Sequence, residues 1–212
     1  FQNHQKPSDN QEVIAKATQC HEIIKDGTTK ENLDKVKSLL EPLLVDKEFV
    51  AEHLGPDFDS NREILYQDPE LDFCILAHLY KGSNAAPPHD HGPTWAIYGQ
   101  SVGVTHMTEF KKLAGASGDQ PGKVEPVKEY DLKPGMAVAY PTGALHAPKR
   151  EGDTKLIRME GTDVSKLKRD KYVVADPHGA ETGKGRADGR ALSVVVQQVN
   201  RITINYINIK LC

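Results

Sequence analysis

Pro87-Pro88-His89-Asp90-His91-Gly92 is the stretch that decides how this 212-residue chain folds. Two histidines separated by one residue fall on the same side of an extended strand, with Cα atoms about 6.6 Å apart at a rise of ~3.3 Å per residue. At that spacing both imidazoles reach one metal ion, at ~2.0–2.1 Å if the ion is zinc. Histidine pairs are also common on surfaces, so the pair needs company. Downstream, Gly135, Pro141, Thr142, Gly143 and His146 follow in the spacing G(X)5PxG(X)2H. The first glycine turns the chain into a strand, and Pro141 and Gly143 turn it again just before a third imidazole. His146 is thereby expected on a neighbouring strand, facing the pair.

Outward from these histidines the texture is that of short strands and turns. Residues 62–66, 71–80, 94–99, 102–110, 123–132, 136–140, 154–160 and 172–175 read as strands. Turn clusters such as Lys81-Gly82-Ser83-Asn84, Gly115-Ala116-Ser117-Gly118-Asp119 and Lys133-Pro134-Gly135 separate them. Within 71–80, Phe73, Ile75, Ala77 and Leu79 alternate with Cys74, Leu76, His78 and Tyr80, which predicts a two-faced strand. Strands of this spacing point to an all-β sandwich or barrel. Upstream the period changes. Val13, Ile14, Ala17, Cys20, Ile23 and Ile24 recur at helical spacing until Asp26-Gly27. A second helix is predicted from Thr28, with Glu31 completing a capping box and Pro42 breaking it, and a short third over residues 47–54. Residues 1–55 are therefore expected to form a helical extension docked on a β-barrel of residues 56–175. The apolar helix stripes are the face that docks. Residues 176–212 read as an appendage: a Gly- and charge-rich stretch over 177–190, then a β-branched, Asn-rich one over 193–211.

Bulk composition excludes several classes. Hydrophobic residues make up 38% and charged residues 27%, an ordinary globular balance. With 27 Lys+Arg against 30 Asp+Glu the net charge is −3, without the basic footprint of a nucleic-acid binder. Apolar runs such as Phe73-Cys74-Ile75-Leu76-Ala77 fall far short of the ~20 residues that span a bilayer. The polar start, Phe1-Gln2-Asn3-His4-Gln5-Lys6-Pro7, does not read as a secretory signal. Three scattered cysteines, Cys20, Cys74 and Cys212, suit reduced thiols of a cytoplasmic protein more than a disulfide framework.

The two histidine segments resemble the paired motifs of the cupin superfamily, the first of which reads G(X)5HxH(X)3–4E(X)6G. Here Gly82 lies one residue further from His89 than that pattern has it, His89, His91 and Gly103 match, and Ala96 stands where many cupins carry a metal-binding glutamate. The second motif matches at Gly135, Pro141, Gly143 and His146, with Arg150 in place of its usual closing Asn. The resemblance implies a mostly β chain, the cupin double-stranded β-helix (a jelly-roll barrel), here with an N-terminal α-helical extension. Loss of the glutamate leaves three neutral imidazoles, so an iron(II) ion would keep its full +2 charge and accept an anionic chelate more readily. This three-histidine pattern resembles the cysteine-dioxygenase-like group of thiol dioxygenases and also occurs in β-diketone-cleaving cupins. What it implies is an Fe(II)-dependent dioxygenase, with zinc or nickel as alternative ions and O2 as co-substrate. Its reaction would oxidise a small thiol to its sulfinate. The alternatives are C–C cleavage of a β-dicarbonyl, or a metal-binding, sensory cupin without turnover. The partners implied are a small-molecule substrate and at most a few copies of the same chain.

Arg62 stands where that group carries an arginine clamping the substrate carboxylate. The segments Phe73-Cys74-Ile75-Leu76, Pro88-His89-Asp90-His91-Gly92 and Thr94-Trp95 also look like the group. The group's Ser–His–Tyr set should fall within residues 154–160, where this chain has Leu156, Arg158 and Glu160. Ala96 occupies the place of a cysteine that some members cross-link to that Tyr, so no such cofactor forms. Cysteine itself is accordingly a poor expectation as substrate. Arg158 and Glu160, two residues apart, share one strand face. They suit either a buried pair that anchors a different substrate or an ordinary surface pair. Tyr98 and Tyr140 are candidates to line the pocket, and Trp95 to wall it or simply pack. His78 and His106 read first as satisfied structural histidines. His4, His21, His53 and His178 read as surface or helix residues.

Overall fold

The structure is a computed structural model, and it describes residues 11–176. The strands expected within residues 193–211, Cys212, His4 and His178 lie outside the described residues, as does nearly all of the expected appendage.

The helical stretch resolves into three α-helices and a 3-10 turn. Helix α1 spans Gln11–Ile24 and α2 spans Lys30–Leu40; a 3-10 segment, Glu41–Val45, follows, then α3 over Lys47–His53. Pro42 sits in the first turn of the 3-10 segment, where its missing N–H costs nothing, and α2 ends just before it. The cap of α2 is one residue later than expected. Helical geometry starts at Lys30, so Thr29 is the N-cap and its hydroxyl accepts from the Asn32 amide at 3.2 Å, while Glu31 pairs with Lys35. Asp46 caps α3 in the same way, accepting from the Phe49 amide at 2.9 Å.

Ten strands follow: β1 (Glu63–Gln67), β2 (Cys74–Tyr80), β3 (Asn84–Ala85), β4 (Ala96–Val102), β5 (Thr105–Ala114), β6 (Gly122–Leu132), β7 (Ala137–Tyr140), β8 (Leu145–Arg150), β9 (Thr154–Glu160) and β10 (Tyr172–Val174). They form two curled five-stranded sheets, in the orders β1-β2-β9-β4-β7 and β10-β6-β5-β8-β3. Every pairing is antiparallel except β10 with β6. This is a jelly-roll barrel, mostly β with a helical segment before it. At Gly103, which ends the first motif, φ is +74° and a Cβ would lie 2.5 Å from the Asp153 carbonyl oxygen, so only glycine makes the turn from β4 to β5. No helix among the described residues is long and apolar enough to cross a membrane.

The core has three clusters, and the first sheet packs in two of them, one on each face. On its outer face Phe73, Ile75, Ala77, Ile97, Ile157 and Met159 pack against Val13, Ala17, Leu33, Val36 and Leu44 of the helical segment. Each fully buried side chain of this kind is worth about 1.5–3 kcal/mol. Polar ties add direction: Ser101 donates to the Leu44 carbonyl at 2.7 Å, and Lys155 donates to those of Leu54 and Gly55 at 2.7 Å each. On the inner face Ala96, Tyr98, Tyr140 and Leu156 meet Met107 and Leu132 of the second sheet. Cys20 and Cys74 are buried and free, and burial pushes their thiols up to about 12 and about 11, so both stay protonated.

Candidate metal centre

The histidine pair does not lie on a regular strand. Residues 86–95 form an irregular connection between β3 and β4, turning at Gly92-Pro93, and only His89 joins a sheet, as an isolated bridge to His146 of β8. The two residues exchange both backbone hydrogen bonds at 3.0 Å. That bridge brings the distant motifs together. The turn before β8 is made by Gly143 at φ +82°, and its glycine sets the direction in which His146 enters the barrel.

His89, His91 and His146 offer ligand atoms that all lie within 4.8 Å of one another. His91 and His146 are buried, and His89 is half-buried. The backbone determines which nitrogen two of them present. His89 Nδ1 donates to the Pro87 carbonyl at 2.9 Å, and His146 Nδ1 donates to the Ala144 carbonyl at 3.3 Å. A carbonyl only accepts, so each Nδ1 carries the proton and each Nε2 keeps its lone pair. Tyr140 stacks on the His146 ring with centroids 3.9 Å apart, holding its plane, and its hydroxyl lies 2.6 Å from that of Tyr130.

Burial pulls the pKa values of all three histidines down, helped by the positive field of Arg158, so all are neutral donors at neutral pH. His91 Nε2 lies 3.2 Å from His146 Nε2, and the Tyr98 hydroxyl lies 3.1 Å from the former and 3.2 Å from the latter. One phenolic hydrogen cannot serve all of these nitrogens, whereas a single cation accepts from each. The donor set therefore fits a metal ion, and a three-histidine group can hold one.

His89, His91 and Tyr98 line a cavity of about 570 Å³. Tyr98, expected at the pocket, is fully buried at its edge between His91 and His146. Arg158 of β9 lies directly across the sheet from Tyr98 of β4, and its guanidinium covers the Tyr98 ring at 4.3 Å. The surface-pair alternative for Arg158 and Glu160 is corrected by their burial, at 7% and 0% exposure. Glu160 binds both arginines. One carboxylate oxygen takes Arg158 at 2.8 Å, and the two oxygens receive Arg62 at 3.0 and 2.8 Å. Arg62 also donates to Asp163 at 2.6 Å. Arg62 thus lines the cavity with its fork already held by two carboxylates, while Glu160 sits behind Arg158 and joins the two cations.

Among the remaining expectations, Trp95 packs in the outer core, and His106 is paired outward with Asp131 and Glu129. His21, on α1, bonds Asp68 at 2.9 Å. His78 is buried and lines the cavity, with its Nδ1 3.4 Å from the Tyr80 hydroxyl and a hydrogen bond to the Asn61 backbone. The residue that sequence reasoning passed over is Arg150, noted only as a departure from the second motif. It is buried, lines the cavity and stacks over Tyr80 at 3.9 Å. The strand period carried the signal. His146, Pro148 and Arg150 are two apart on β8 and share its buried face.

No protein-family profile and no curated protein matches this chain. Solved structures do. A cupin superfamily protein from Desulfitobacterium hafniense is 15% identical, with 52% of this chain and 87% of that one covered and a TM-score of 0.38. KdgF from Halomonas sp. is 19% identical, covering 47% of this chain and 74% of that one at a TM-score of 0.35. A cupin-2 domain containing protein from Shewanella frigidimarina is 14% identical over 57% of this chain and 96% of that one, with a TM-score of 0.35. The structural neighbours of this chain thus include cupin-superfamily proteins.

Proposed function

We propose that this chain is a mononuclear iron(II) dioxygenase that oxidises a small anionic thiol to its sulfinate. The observation that carries the proposal is a carboxylate-free set of three neutral imidazoles at a cavity whose wall also holds arginines. Three neutral donors leave the full charge of a divalent ion in place, which favours an anionic ligand such as a thiolate. Iron(II) held there would supply the oxygen-activating chemistry that combines RSH and O2 into RSO2H.

The chain's own residues do the rest. His89 and His146 present their Nε2 atoms because backbone carbonyls fix their tautomers. Tyr98 keeps its phenolic proton, since burial raises its pKa, and its hydroxyl stands beside two of the ligand nitrogens as a hydrogen-bond donor. Apolar packing by Met107, Leu132 and Leu156 beneath Tyr98 and Tyr140 keeps this end of the barrel dry, which strengthens every charge interaction in it. Binding both reactants in one site replaces a chance collision by an oriented encounter.

The test is oxygen uptake by iron-loaded protein across a panel of mercapto acids, neutral thiols and β-diketones, with product analysis. Uptake driven by a mercapto acid, with sulfinate formed, is the expected result. Uptake driven only by diketones would assign C–C cleavage instead, and no uptake with any compound would remove the catalytic reading.

A further inference from the structure

The charges around the cavity do not cancel. Arg62 and Arg158 are matched by Glu160 and Asp163, two cations against two carboxylates. Arg169, which is exposed, and Arg150 are left over, and of these only Arg150 is buried. It is 3% exposed, its Nε donates to Thr105 at 3.2 Å and its Nη1 to Asn84 at 3.1 Å, and its Nη2 has no partner. Among the described residues no carboxylate forms an ion pair with it. A buried guanidinium surrounded only by neutral groups is costly unless an anion completes it. Burial lowers its pKa from the ordinary guanidinium value, and a guanidinium stays charged in proteins.

Its neighbours extend the same surface. Arg150 lies on the face of Tyr80, whose hydroxyl accepts from Arg158 Nη1 at 3.3 Å. His78 stacks beside the Tyr80 ring, with centroids 5.7 Å apart. Arg158 Nε, like Arg150 Nη2, is buried without a hydrogen-bond partner. All four residues line the cavity that His89 and His91 also line.

We infer that Arg150 and Arg158, bracketed by Tyr80, form an anion-binding wall, and that the ligand is a small thiol whose carboxylate is held by Arg150 in place of Arg62. The thiol half of this statement rests on the function proposed above; the carboxylate half rests on the wall alone. A guanidinium fork on a carboxylate supplies both charge and orientation, and it sets which end of the ligand faces the histidines.

Zinc-loaded protein, which binds without turning over, allows the wall to be tested by calorimetry with 3-mercaptopropionate, 2-mercaptoethanol and propionate. Wild-type protein is expected to bind 3-mercaptopropionate about tenfold or more tighter than 2-mercaptoethanol. Arg150→Gln should bring that ratio close to one, whereas Arg62→Lys should leave it unchanged. If Arg150→Gln does not fold, Arg150→Lys decides, since it keeps the charge and loses the fork: a ratio cut severalfold supports the wall. A wild-type ratio near one, or a ratio that survives both Arg150 substitutions, overturns it. Two further outcomes separate the wall from the thiol chemistry. Thiols bound without regard to charge would sink the wall and leave the thiol reading standing. Propionate bound through Arg150 in metal-free protein, with no gain for either thiol on adding zinc, would uphold the wall and sink the thiol reading.

Discussion

The two faces of one sheet do opposite work in this molecule. Strands β2, β9 and β4 present Ile75, Ala77, Ile157, Met159 and Ile97 outward to the helices, all apolar and nearly without solvent contact. The same strands present His78, Tyr80, Arg158, Glu160 and Tyr98 inward, every one of them polar. Adjacent residues such as Ile157 and Arg158 are equally buried but belong to different chemistry. Burial on the outer face is stabilising in itself, because only apolar area leaves water. On the inner face it is tolerable only through pairing, as in Arg62–Glu160–Arg158. Where pairing stops, at Arg150, the molecule has kept a charge for something that is not protein.

The largest test of that division is His146→Ala. It should abolish retention of iron or zinc while changing the melting temperature little, as seen by metal analysis of the dialysed protein beside its thermal unfolding. Glu160→Gln comes next, since it strands the buried Arg158 guanidinium and takes from half-buried Arg62 one of its two carboxylates. Denaturant unfolding should show a loss of about 3–5 kcal/mol. On the outer face Ile157→Ala should cost about 2–5 kcal/mol by the same measurement, yet leave metal content intact. A comparable loss of metal in that variant would mean that the two faces are not separable.

The smallest effects concern pH, and here the faces should respond in opposite directions. Asp163 is held down at about 2 by the Ser165 hydroxyl and by Arg62, against the opposing effect of burial. A depressed folded pKa stabilises above the unfolded value of about 3.9, and this is lost as pH falls towards about 2. Asp163→Asn should therefore flatten the acid limb of a plot of melting temperature against pH. His21, on the helical side, is raised above its ordinary value by its hydrogen bond to Asp68. Its contribution is complete below about 6.5 and disappears as pH rises through the raised folded value. His21→Ala should remove a decline in stability on the alkaline side and leave the acid limb alone. Identical profiles for both variants would contradict the assignment of each pair to its own side.

Much of the site was legible because the barrel is built on short periods. The spacing of His89 and His91, and the turn residues ahead of His146, bring out all three ligands without reference to a third dimension. The boundaries of β9 are those expected, and His146 lies on a neighbouring strand as expected. Periodicity gives β8 no bounds, because Pro148 interrupts a run that otherwise has little β character. The histidine pair was expected on a strand and lies in an irregular connection, since its pairing partner is one bridge across the barrel and not a ladder.

Side-chain periodicity and the turn chemistry of Gly135, Pro141 and Gly143 point by themselves to an all-β sandwich or barrel with three imidazoles able to meet, because both are local properties of the backbone. The barrel itself is implied by the family resemblance. Tertiary structure alone decided which charges are satisfied. Arg62 and Glu160 are 98 residues apart, and Arg62 and Asp163 are 101 apart. No local rule pairs them. An arginine looks the same in a sequence whether a carboxylate awaits it or not, and only the packed barrel separates Arg62, already matched, from Arg150, which is not.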